Sequence, residues 1–280
     1  RILANGEERR RQMEARFSDP RRRYFLAAIR YPGDLRPDMF SDVDILIHAA
    51  ALKHVPYAEQ QSWPFIHTNI IGSGNVLDAA ERAEIPRVVG LSSDKGSSPA
   101  TVYGATKFCM ERLFVERGYI CTRYGNVAAS AGSLIPTLLE QRKTGTVRLT
   151  DERMTRFWMT LGDAVQLVRR AVETAEPGMV LIPRLSAVRV VDVIEAVAPG
   201  CKIERIGIRG FEKLHESLIS ADEMYAADTW TDGDYCLGRK DPRGVPAPYT
   251  SGSVDRFLPV EEIRAALPVA LAEAGLVAEL

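Results

Sequence analysis

The sequence predicts an α/β fold in which a doubly wound parallel sheet is joined to a smaller α/β lobe. Apolar runs typical of buried strands occur at 43–47, 88–91 and 119–122, and helical periodicity fills 65–83 and 102–116 between them. Strands that alternate with helices favour a parallel sheet with helices on both faces. A further observation is that this alternation loosens after residue 126.

The region after residue 126 predicts the smaller lobe. Short strand-like runs are mixed there with helical segments, at 147–149, 162–174, 179–182, 190–197 and 203–206. The run 232–253, with several Gly and Pro, predicts a loop that leads into a last helix from Val260. We therefore expect a core domain at 1–126 and, at 127–280, mainly a substrate-binding lobe with segments that return to the core. Such a lobe would close over the carboxyl ends of the strands, where open α/β sheets bind ligands.

Composition narrows the class of partner. The chain has 280 residues, of which 46% are hydrophobic, and its net charge is −1. That balance marks neither a nucleic acid nor a membrane as a partner, and no apolar run is long enough to span a bilayer. No signal peptide is visible either. The four cysteines show no paired spacing and the four histidines no metal-ligand spacing. We therefore expect reduced thiols, a cytoplasmic location and no metal.

Residues 92–107, SSDKGSSPATVYGATK, carry the candidate chemistry. Two hydroxyls, a carboxylate and an amine, at 92–95, follow the apolar run 88–91 and so stand where a strand should end. Tyr103 and Lys107 are four residues apart, a spacing that places both on one face of a helix. An ammonium beside a phenol lowers the pKa of the phenol, and a shift from about 10 to about 7 corresponds to about 4 kcal/mol.

A tyrosine with a lowered pKa can take a proton from a sugar hydroxyl while hydride leaves the same carbon. The alternative for Tyr103 and Lys107 is a packed ring with a solvated amine over it. For Asp94 and Lys95 the alternative is an exposed pair in a turn. The convergence of these residues on one loop region favours the catalytic interpretation of all four.

Five other runs accompany this motif: HAAALKHVPYAE (48–59), TNIIGSGNVLDAA (68–80), TRYGNVAASAGSLIP (122–136), TDERMTRFWMTL (150–161) and IGIRGFEKLHE (206–216). Together the runs resemble the inverting UDP-N-acetylglucosamine 4,6-dehydratases, which make sugar precursors for flagellin glycosylation and capsule synthesis. These lyases belong to the extended short-chain dehydrogenase/reductase superfamily, so the resemblance implies a Rossmann-like, dinucleotide-binding core at 1–126. Retaining relatives carry Met at the position of Tyr103, and the tyrosine therefore favours the inverting branch.

The resemblance implies a catalytic role for four residues. Tyr103 with Lys107 would take the proton of the sugar C4 hydroxyl during oxidation. The ketone acidifies the C5 proton, and Lys95 would remove it. Asp94 would protonate the hydroxyl that leaves C6, provided that burial raises its pKa. Return of hydride to C6, and of a proton to the opposite face of C5, would complete the dehydration with inversion.

The resemblance also implies the binding residues, for NADP and for a UDP-sugar. The expected cofactor-binding residues are His48, Ala49, Ala50, Lys53, Ser92, Tyr103 and Lys107. The expected substrate-binding residues are Lys53, Ser93, Asn126, Thr150, Arg153, Arg209 and Glu212, with Arg156 close by. NAD is the alternative cofactor, because Ala4 and Asn5 stand where the family has the Ser-Arg pair that holds the adenosine 2′-phosphate.

The first strand, the glycine-rich turn and the first helix of a dinucleotide-binding fold do not occur in this sequence. We expect a fragment of a longer gene product, with a sugar-nucleotide-binding relic as the alternative. A sheet without its central first strand should expose unpaired backbone and apolar edges. A UDP-sugar 4-epimerase, which shares Tyr-x-x-x-Lys, is the nearest rival in function. Self-association into a homo-oligomer is expected by analogy with the family.

Overall fold

The computed structural model describes residues 1–208, 210, 212–230 and 233–276. The fold is built on a six-stranded sheet flanked by helices. The strands are β1 (Ile2–Ala4), β2 (Tyr24–Leu26), β3 (Ile45–His48), β4 (Arg87–Leu91), β5 (Ile120–Thr122), β6 (Thr146–Leu149), β7 (Thr155–Phe157), β8 (Val180–Ile182), β9 (Ala187–Arg189), β10 (Lys202–Arg205), β11 (Ser217–Ile219), β12 (Ala227–Thr229), β13 (Tyr235–Leu237) and β14 (Tyr249–Thr250).

The helices alternate with these strands. They are α1 (Glu7–Arg16), α2 (Val55–Gln60), α3 (Ser62–Phe65), α4 (Gly72–Arg82), α5 (Val102–Glu116), α6 (Leu134–Arg142), α7 (Leu161–Thr174), α8 (Val190–Val197) and α9 (Val260–Ala274). A π-helical segment, Ile66–Ile71, joins α3 to α4, and a short 3-10 turn, Asp94–Gly96, follows β4. None of the helices among the described residues combines the length and apolarity that a bilayer crossing requires.

The central sheet has the strand order β12-β13-β8-β5-β4-β3. Strands β3, β4, β5 and β8 run parallel, whereas β13 and β12 are antiparallel at the far edge. The predicted fold class, an α/β structure with a mostly parallel sheet, is confirmed. The predicted loop 232–253 is wrong in part, because it contains β13 and β14. These short strands depend on pairing with distant partners, Leu181 of β8 and Ile219 of β11, that no local pattern reveals.

Helices cover both faces of the sheet. Val88 of β4 packs on one face with Leu77 of α4 and Phe114 of α5. The next residue, Val89, points to the other face and packs with Leu167 of α7. Because successive side chains of a strand alternate between faces, a parallel strand enclosed by two helical layers must be apolar at consecutive positions. The run at 88–91 has that character.

A second apolar core lies outside the central sheet. Leu138 of α6, Val193 of α8 and Leu271 of α9 pack there against Val147 and Leu149 of β6. Strand β6 pairs with β10 in a two-stranded parallel sheet. Residues after 126 also contribute β8, β12 and β13 to the central sheet, so the chain returns to the first core after building the second.

The edge of the central sheet at β3 is open. Strand β3 pairs with β4, and β1 pairs with β2 in a separate two-stranded sheet, with no strand of the described residues between β1 and β3. A cavity of about 600 Å³ is lined by both β1 and β3. Ile45 and Ile47 remain 47% and 52% exposed. The expected apolar edge of a sheet without its first strand is therefore confirmed.

Candidate active site

The turn after β4 and the first turn of α5 form one packed unit. Ser93 begins the 3-10 turn, and its hydroxyl accepts a hydrogen bond from the Lys95 amide at 3.2 Å. Thr101 caps α5 by accepting a hydrogen bond from the Gly104 amide at 3.0 Å, as a residue of its type does at a helix start. A Cβ atom at Gly104 would collide with the Lys95 carbonyl. Only glycine lets the helix approach the turn this closely.

The turn places a half-buried ammonium between two buried carboxylates. Lys95 Nζ lies 2.9 Å from Asp94 Oδ2 and 3.1 Å from Glu216 Oε1. The Ser93 hydroxyl donates a hydrogen bond to Asp94 Oδ1 at 2.8 Å. Asp94 is 1% exposed and Glu216 is 6% exposed. Charges removed from water to this extent are tolerated only when they are paired and hydrogen-bonded, and here all three are.

The three charges shift one another's pKa values in different directions. Burial raises the pKa of the Asp94 carboxyl; the Lys95 ammonium opposes that rise and the Glu216 charge adds to it. The condition on which the predicted acid role of Asp94 depends is therefore met, and that role stays a prediction. Burial also disfavours the Glu216 carboxylate, yet the Lys95 and Arg156 cations hold the pKa of Glu216 below its ordinary range. Carboxyl groups with pKa values pushed apart can divide acid and base roles between them.

Lys95 is a cation in this arrangement. Burial alone would lower the pKa of its amine, but the carboxylates of Asp94 and Glu216 raise it above the ordinary lysine value. An amine removes a proton from carbon only in its neutral form. Lys95 can therefore act as the expected base only after it gives up a proton to its surroundings.

Tyr103 and Lys107 do not interact as predicted. The Lys107 amine donates a hydrogen bond to the Leu91 carbonyl at 2.5 Å, and burial lowers its pKa to about 8. Burial raises the pKa of the Tyr103 phenol; the Lys95 ammonium lowers it, the Asp94 charge raises it, and a hydrogen bond with Ser93 lowers it. The prediction that Lys107 lowers the pKa of Tyr103 is wrong for this structure, because the amine is directed to a backbone carbonyl and the nearby cation is Lys95.

The expected cofactor residues of the 48–53 run occupy different surroundings. The His48 ring is buried, lies 2.9 Å from the Ser73 hydroxyl and stacks on Phe114. Burial, with the Lys107 charge nearby, lowers the pKa of His48 to about 3, so the imidazole is neutral. Ala49 and Ala50 are exposed and line the cavity beside β1. The place of these three residues in a cofactor site stays a prediction.

Unpartnered polar atoms collect at the carboxyl ends of β4 and β5. The hydroxyls of Ser92 and Thr122 and the amide oxygen of Asn126 are buried and have no hydrogen-bond partner among the described residues. A buried polar atom without a partner is costly, and open α/β sheets bind ligands at this edge. These atoms fit a polar ligand such as a nicotinamide cofactor or the sugar that reacts with it.

The predicted substrate residues separate into several groups. Ser93 lies in the central cluster, and Lys53 donates a hydrogen bond to the Ala131 carbonyl at 2.8 Å. Thr150 and Glu212 are half-buried. Arg153 is 69% exposed and pairs with Asp151 at 2.8 Å, and that hydrogen bond lowers the pKa of Asp151 to about 2. Arg209 lies outside the described residues.

The sequence analysis missed Glu216 as a member of the site. Arg156, which it placed close to the substrate residues, and Lys213 also lie near the turn. Glu216 is the second carboxylate on Lys95, and Arg156 Nε lies 3.7 Å from Glu216 Oε1. Lys213 donates hydrogen bonds to the carbonyls of Ser97 and Ser98 at 3.1 and 2.6 Å. The signal that was available is the position of Glu216, an acid directly before the buried strand β11. Among the described residues no group of side chains could hold a metal ion.

Known proteins resemble the chain over most of its length. A family model described as polysaccharide biosynthesis protein matches residues 2–233. The inverting UDP-N-acetylglucosamine 4,6-dehydratase of Campylobacter jejuni is 39% identical over 235 residues, which cover 80% of this chain and 70% of that protein. The UDP-glucose 4-epimerase of Rickettsia canadensis is 36% identical over 249 residues, with 84% and 72% covered.

Solved structures agree with the fold. Pen from Bacillus thuringiensis superposes with a TM-score of 0.87 at 29% identity, over 97% of this chain and 89% of that one. The dTDP-glucose 4,6-dehydratase DesIV of Streptomyces venezuelae, solved with NAD bound, has a TM-score of 0.68 at 21% identity, over 85% and 80%. The second likeness concerns the fold alone. The family match extends over far more than half of the sequence, and the chain belongs to the polysaccharide biosynthesis protein family.

Proposed function

We propose that the chain carries the catalytic site of a UDP-N-acetylglucosamine 4,6-dehydratase that inverts C5. The observation that carries this proposal is the cluster of Ser93, Asp94, Lys95 and Tyr103, in which a carboxyl with a raised pKa and an amine lie beside one phenol. Elimination next to a ketone needs both an acid and a base, and this cluster holds both. The product would be a 4-keto-6-deoxy sugar nucleotide used for surface glycans.

The residues divide the proton transfers among them. Tyr103 takes the proton of the C4 hydroxyl once its phenol, whose pKa burial raises, has lost its own proton, and the nearby Lys95 ammonium favours that loss. Ser93, beside the same phenol, orients the C4 hydroxyl. Lys95 accepts the C5 proton once its amine is neutral. Asp94, whose pKa is raised, protonates the C6 hydroxyl so that water can leave. A proton delivered to the opposite face of C5 then completes the inversion.

A nicotinamide cofactor, when bound, supplies the acceptor and donor of hydride. The residues that would hold it are His48, Ala49, Ala50, Lys53, Ser92, Tyr103 and Lys107, which lie at or after the carboxyl ends of β3 and β4 and in the first turns of α5. Lys107 fixes the start of this region through its hydrogen bond to Leu91. NADP is the proposed cofactor and NAD the alternative. The proposed partner is a UDP-sugar. The proposed contacts among the described residues are Lys53, Ser93, Asn126, Thr150, Arg153 and Glu212.

The proposed setting is the cytoplasm, with neither nucleic acid nor membrane as a partner. We further propose a homo-oligomer formed through the helices beside the sheet. Support comes from the large apolar side chains left exposed on that side: Tyr57, Trp63, Ile71 and Phe108 are between 37% and 63% exposed. The division into a core at 1–126 and mainly a substrate lobe at 127–280 is proposed with the function.

The test is incubation of the protein with UDP-N-acetylglucosamine and NADP or NAD in deuterated water, followed by NMR. We expect a C5-inverted 4-keto-6-deoxy product that carries deuterium at C5. Tyr103→Phe should lower the rate by about 10² to 10⁴-fold, whereas Tyr225→Phe, at a side chain that is 76% exposed, should not. Unchanged substrate would contradict the proposal, and the galactose-configured isomer would indicate a 4-epimerase instead.

A further inference from the structure

Glu216 reaches the catalytic turn from a distant part of the chain. It directly precedes β11, while Asp94 and Lys95 follow β4. Its carboxylate lies 3.1 Å from Lys95 Nζ, on an amine already paired with Asp94 at 2.9 Å. The ammonium is thus held between two acids that come from different elements, and its direction is fixed by both.

The backbone of Glu216 is fixed independently of its side chain. The Glu216 amide donates to the Ser251 hydroxyl at 2.9 Å, and the Ser251 amide donates to the Glu216 carbonyl at 2.8 Å. Two residues on, Arg123 Nη1 donates to the Leu218 carbonyl at 2.9 Å. A substitution that changes only the carboxylate should therefore leave the segment in place.

Glu216 makes the surroundings of Lys95 different from those of an ordinary Asp–Lys pair, because it adds a second negative charge beside the amine. The groups that face the amine are Asp94 on its own turn, Tyr103 of α5, Arg156 of β7 and Glu216. Arg156 opposes the charge of Lys95, and Lys213 is the next cation near Glu216. Without the Glu216 carboxylate the site would carry a surplus of positive charge against one carboxyl.

We infer that Glu216 is a positioning residue that holds the Lys95 amine between Asp94 and the substrate and keeps it protonated until the reaction requires it. The inference rests on the proposed function for its meaning, since that function has Lys95 lose its proton to the surroundings before it accepts the proton from C5. It also assigns the segment before β11 a part in the acid–base site, in addition to any contact with a sugar nucleotide.

The experiment measures the reactivity of Lys95 in the full chain, with neither substrate nor cofactor. Trace acetic anhydride labels neutral amines only, and mass spectrometry compares Lys95 with the exposed Lys240 from pH 7 to about pH 10.5. Lys95 has a side chain that is 24% exposed, so the reagent can reach it. In Glu216→Gln the labelling curve of Lys95 should move to lower pH. At a fixed pH on the rising part of the curve, labelling should become about tenfold faster for every pH unit that the curve moves.

Two variants control the measurement. Glu216→Asp keeps the charge and should give a curve close to that of the unmodified chain. Glu204→Gln removes an exposed carboxylate that pairs with Arg148 at 3.5 Å, and it should leave Lys95 unchanged. A Glu216→Gln curve that overlays the original would overturn the inference. So would equal displacements of the curve in the Gln and Asp variants, because these would indicate a packing effect rather than a charge.

Turnover separates this inference from the proposed function. With UDP-N-acetylglucosamine and cofactor, Glu216→Gln should lower kcat at least tenfold, because the Lys95 amine loses one of the two acids that fix its direction. KM should change by less than about twofold, and Glu216→Asp should recover part of kcat. A chain that labels as expected but does not convert this sugar nucleotide would contradict the dehydratase proposal and leave the role of Glu216 in setting the charge of Lys95 supported. A kcat unchanged in Glu216→Gln would overturn the inference.

Discussion

Lys95 and Lys107 lie near the same site, yet their neighbours shift their pKa values in opposite directions. Two carboxylates surround the Lys95 amine and raise its pKa in spite of burial. Lys107 is more fully enclosed, at 5% exposed, and bonds to a neutral carbonyl, so burial lowers its pKa to about 8. The charge of a buried amine is set by its partners rather than by its residue type. Near neutral pH the site therefore holds one firmly charged amine and one that is close to losing its proton.

The lowered pKa of Lys107 predicts a stability that rises with pH. Between pH 8 and about pH 10.5 the unfolded chain holds a proton on this amine that the folded chain has released, so the free energy of unfolding increases as pH rises. Against Lys107→Met, which cannot titrate, the original chain should gain up to about 3 kcal/mol across that window. Urea denaturation of both proteins at pH 7.5 and pH 10 measures the difference.

The comparison with Lys107→Met removes the contribution of the other titrating groups, which both proteins share. Loss of the hydrogen bond to Leu91 should lower the stability of the variant by a similar amount at each pH. Two stability profiles that remain parallel from pH 7.5 to pH 10 would show that Lys107 has an ordinary pKa, and the account of its burial would then be wrong.

The central site could be predicted only as far as its residues are neighbours in sequence. Ser93, Asp94, Lys95 and Tyr103 fall within one short motif, and the structure brings them together. Glu216 could not be placed beside them, because its approach depends on how β11 docks far along the chain. The direction of the Tyr103 pKa shift was missed for a related reason. Helical spacing places Lys107 on the same face, but it does not reveal that the Leu91 carbonyl takes the amine.

Helix α5 and the turn before it act as a single element. The helix was predicted at 102–116 and has those bounds. Its first turn approaches the Asp94–Gly96 turn at Gly104, where a side chain would meet the Lys95 carbonyl, Pro99 and the Thr101 hydroxyl. The position of Tyr103 relative to Lys95 therefore depends on the next residue, Gly104, having no Cβ atom.

Gly104→Ala should displace the start of α5 and weaken both fold and site. Crowding of a packed position costs about 1 to 3 kcal/mol, and the Tyr103 phenol should be displaced relative to Ser93 and Lys95. Gly74→Ala in α4 is the matched control, because a Cβ there meets nothing within 4 Å. It should instead stabilise the chain by about 0.5 to 1 kcal/mol. Thermal denaturation of the two variants measures the contrast, and a Gly104→Ala variant as stable as Gly74→Ala would contradict this account.

At the scale of the whole molecule, the main feature is the open edge of the central sheet. Within the described residues, no strand pairs with the outer side of β3. Strands β1 and β3 line one cavity of about 600 Å³, and each has a single strand partner. Ile45 and Ile47 are about half exposed along the β3 edge. An apolar strand edge of this kind is a template for pairing with another chain. The apolar helix face with Trp63 and Phe108 offers a separate surface for association.

Ile47→Lys should reduce open-ended association of the chain. A lysine on the β3 edge places a charge in the cavity that an incoming strand would have to bury, and natural sheets protect their edges in the same way. We expect the original chain to show light scattering that grows with protein concentration and time, and the variant to show clearly less at the same concentration.

Val165→Lys is the matched control. It places the same charge on helix α7, at a side chain that is 57% exposed. The control should scatter like the original chain, since a helix surface offers no unpaired backbone. An equal reduction by both variants would assign the effect to net charge, and no reduction by Ile47→Lys would show that the chains associate through the helix face instead.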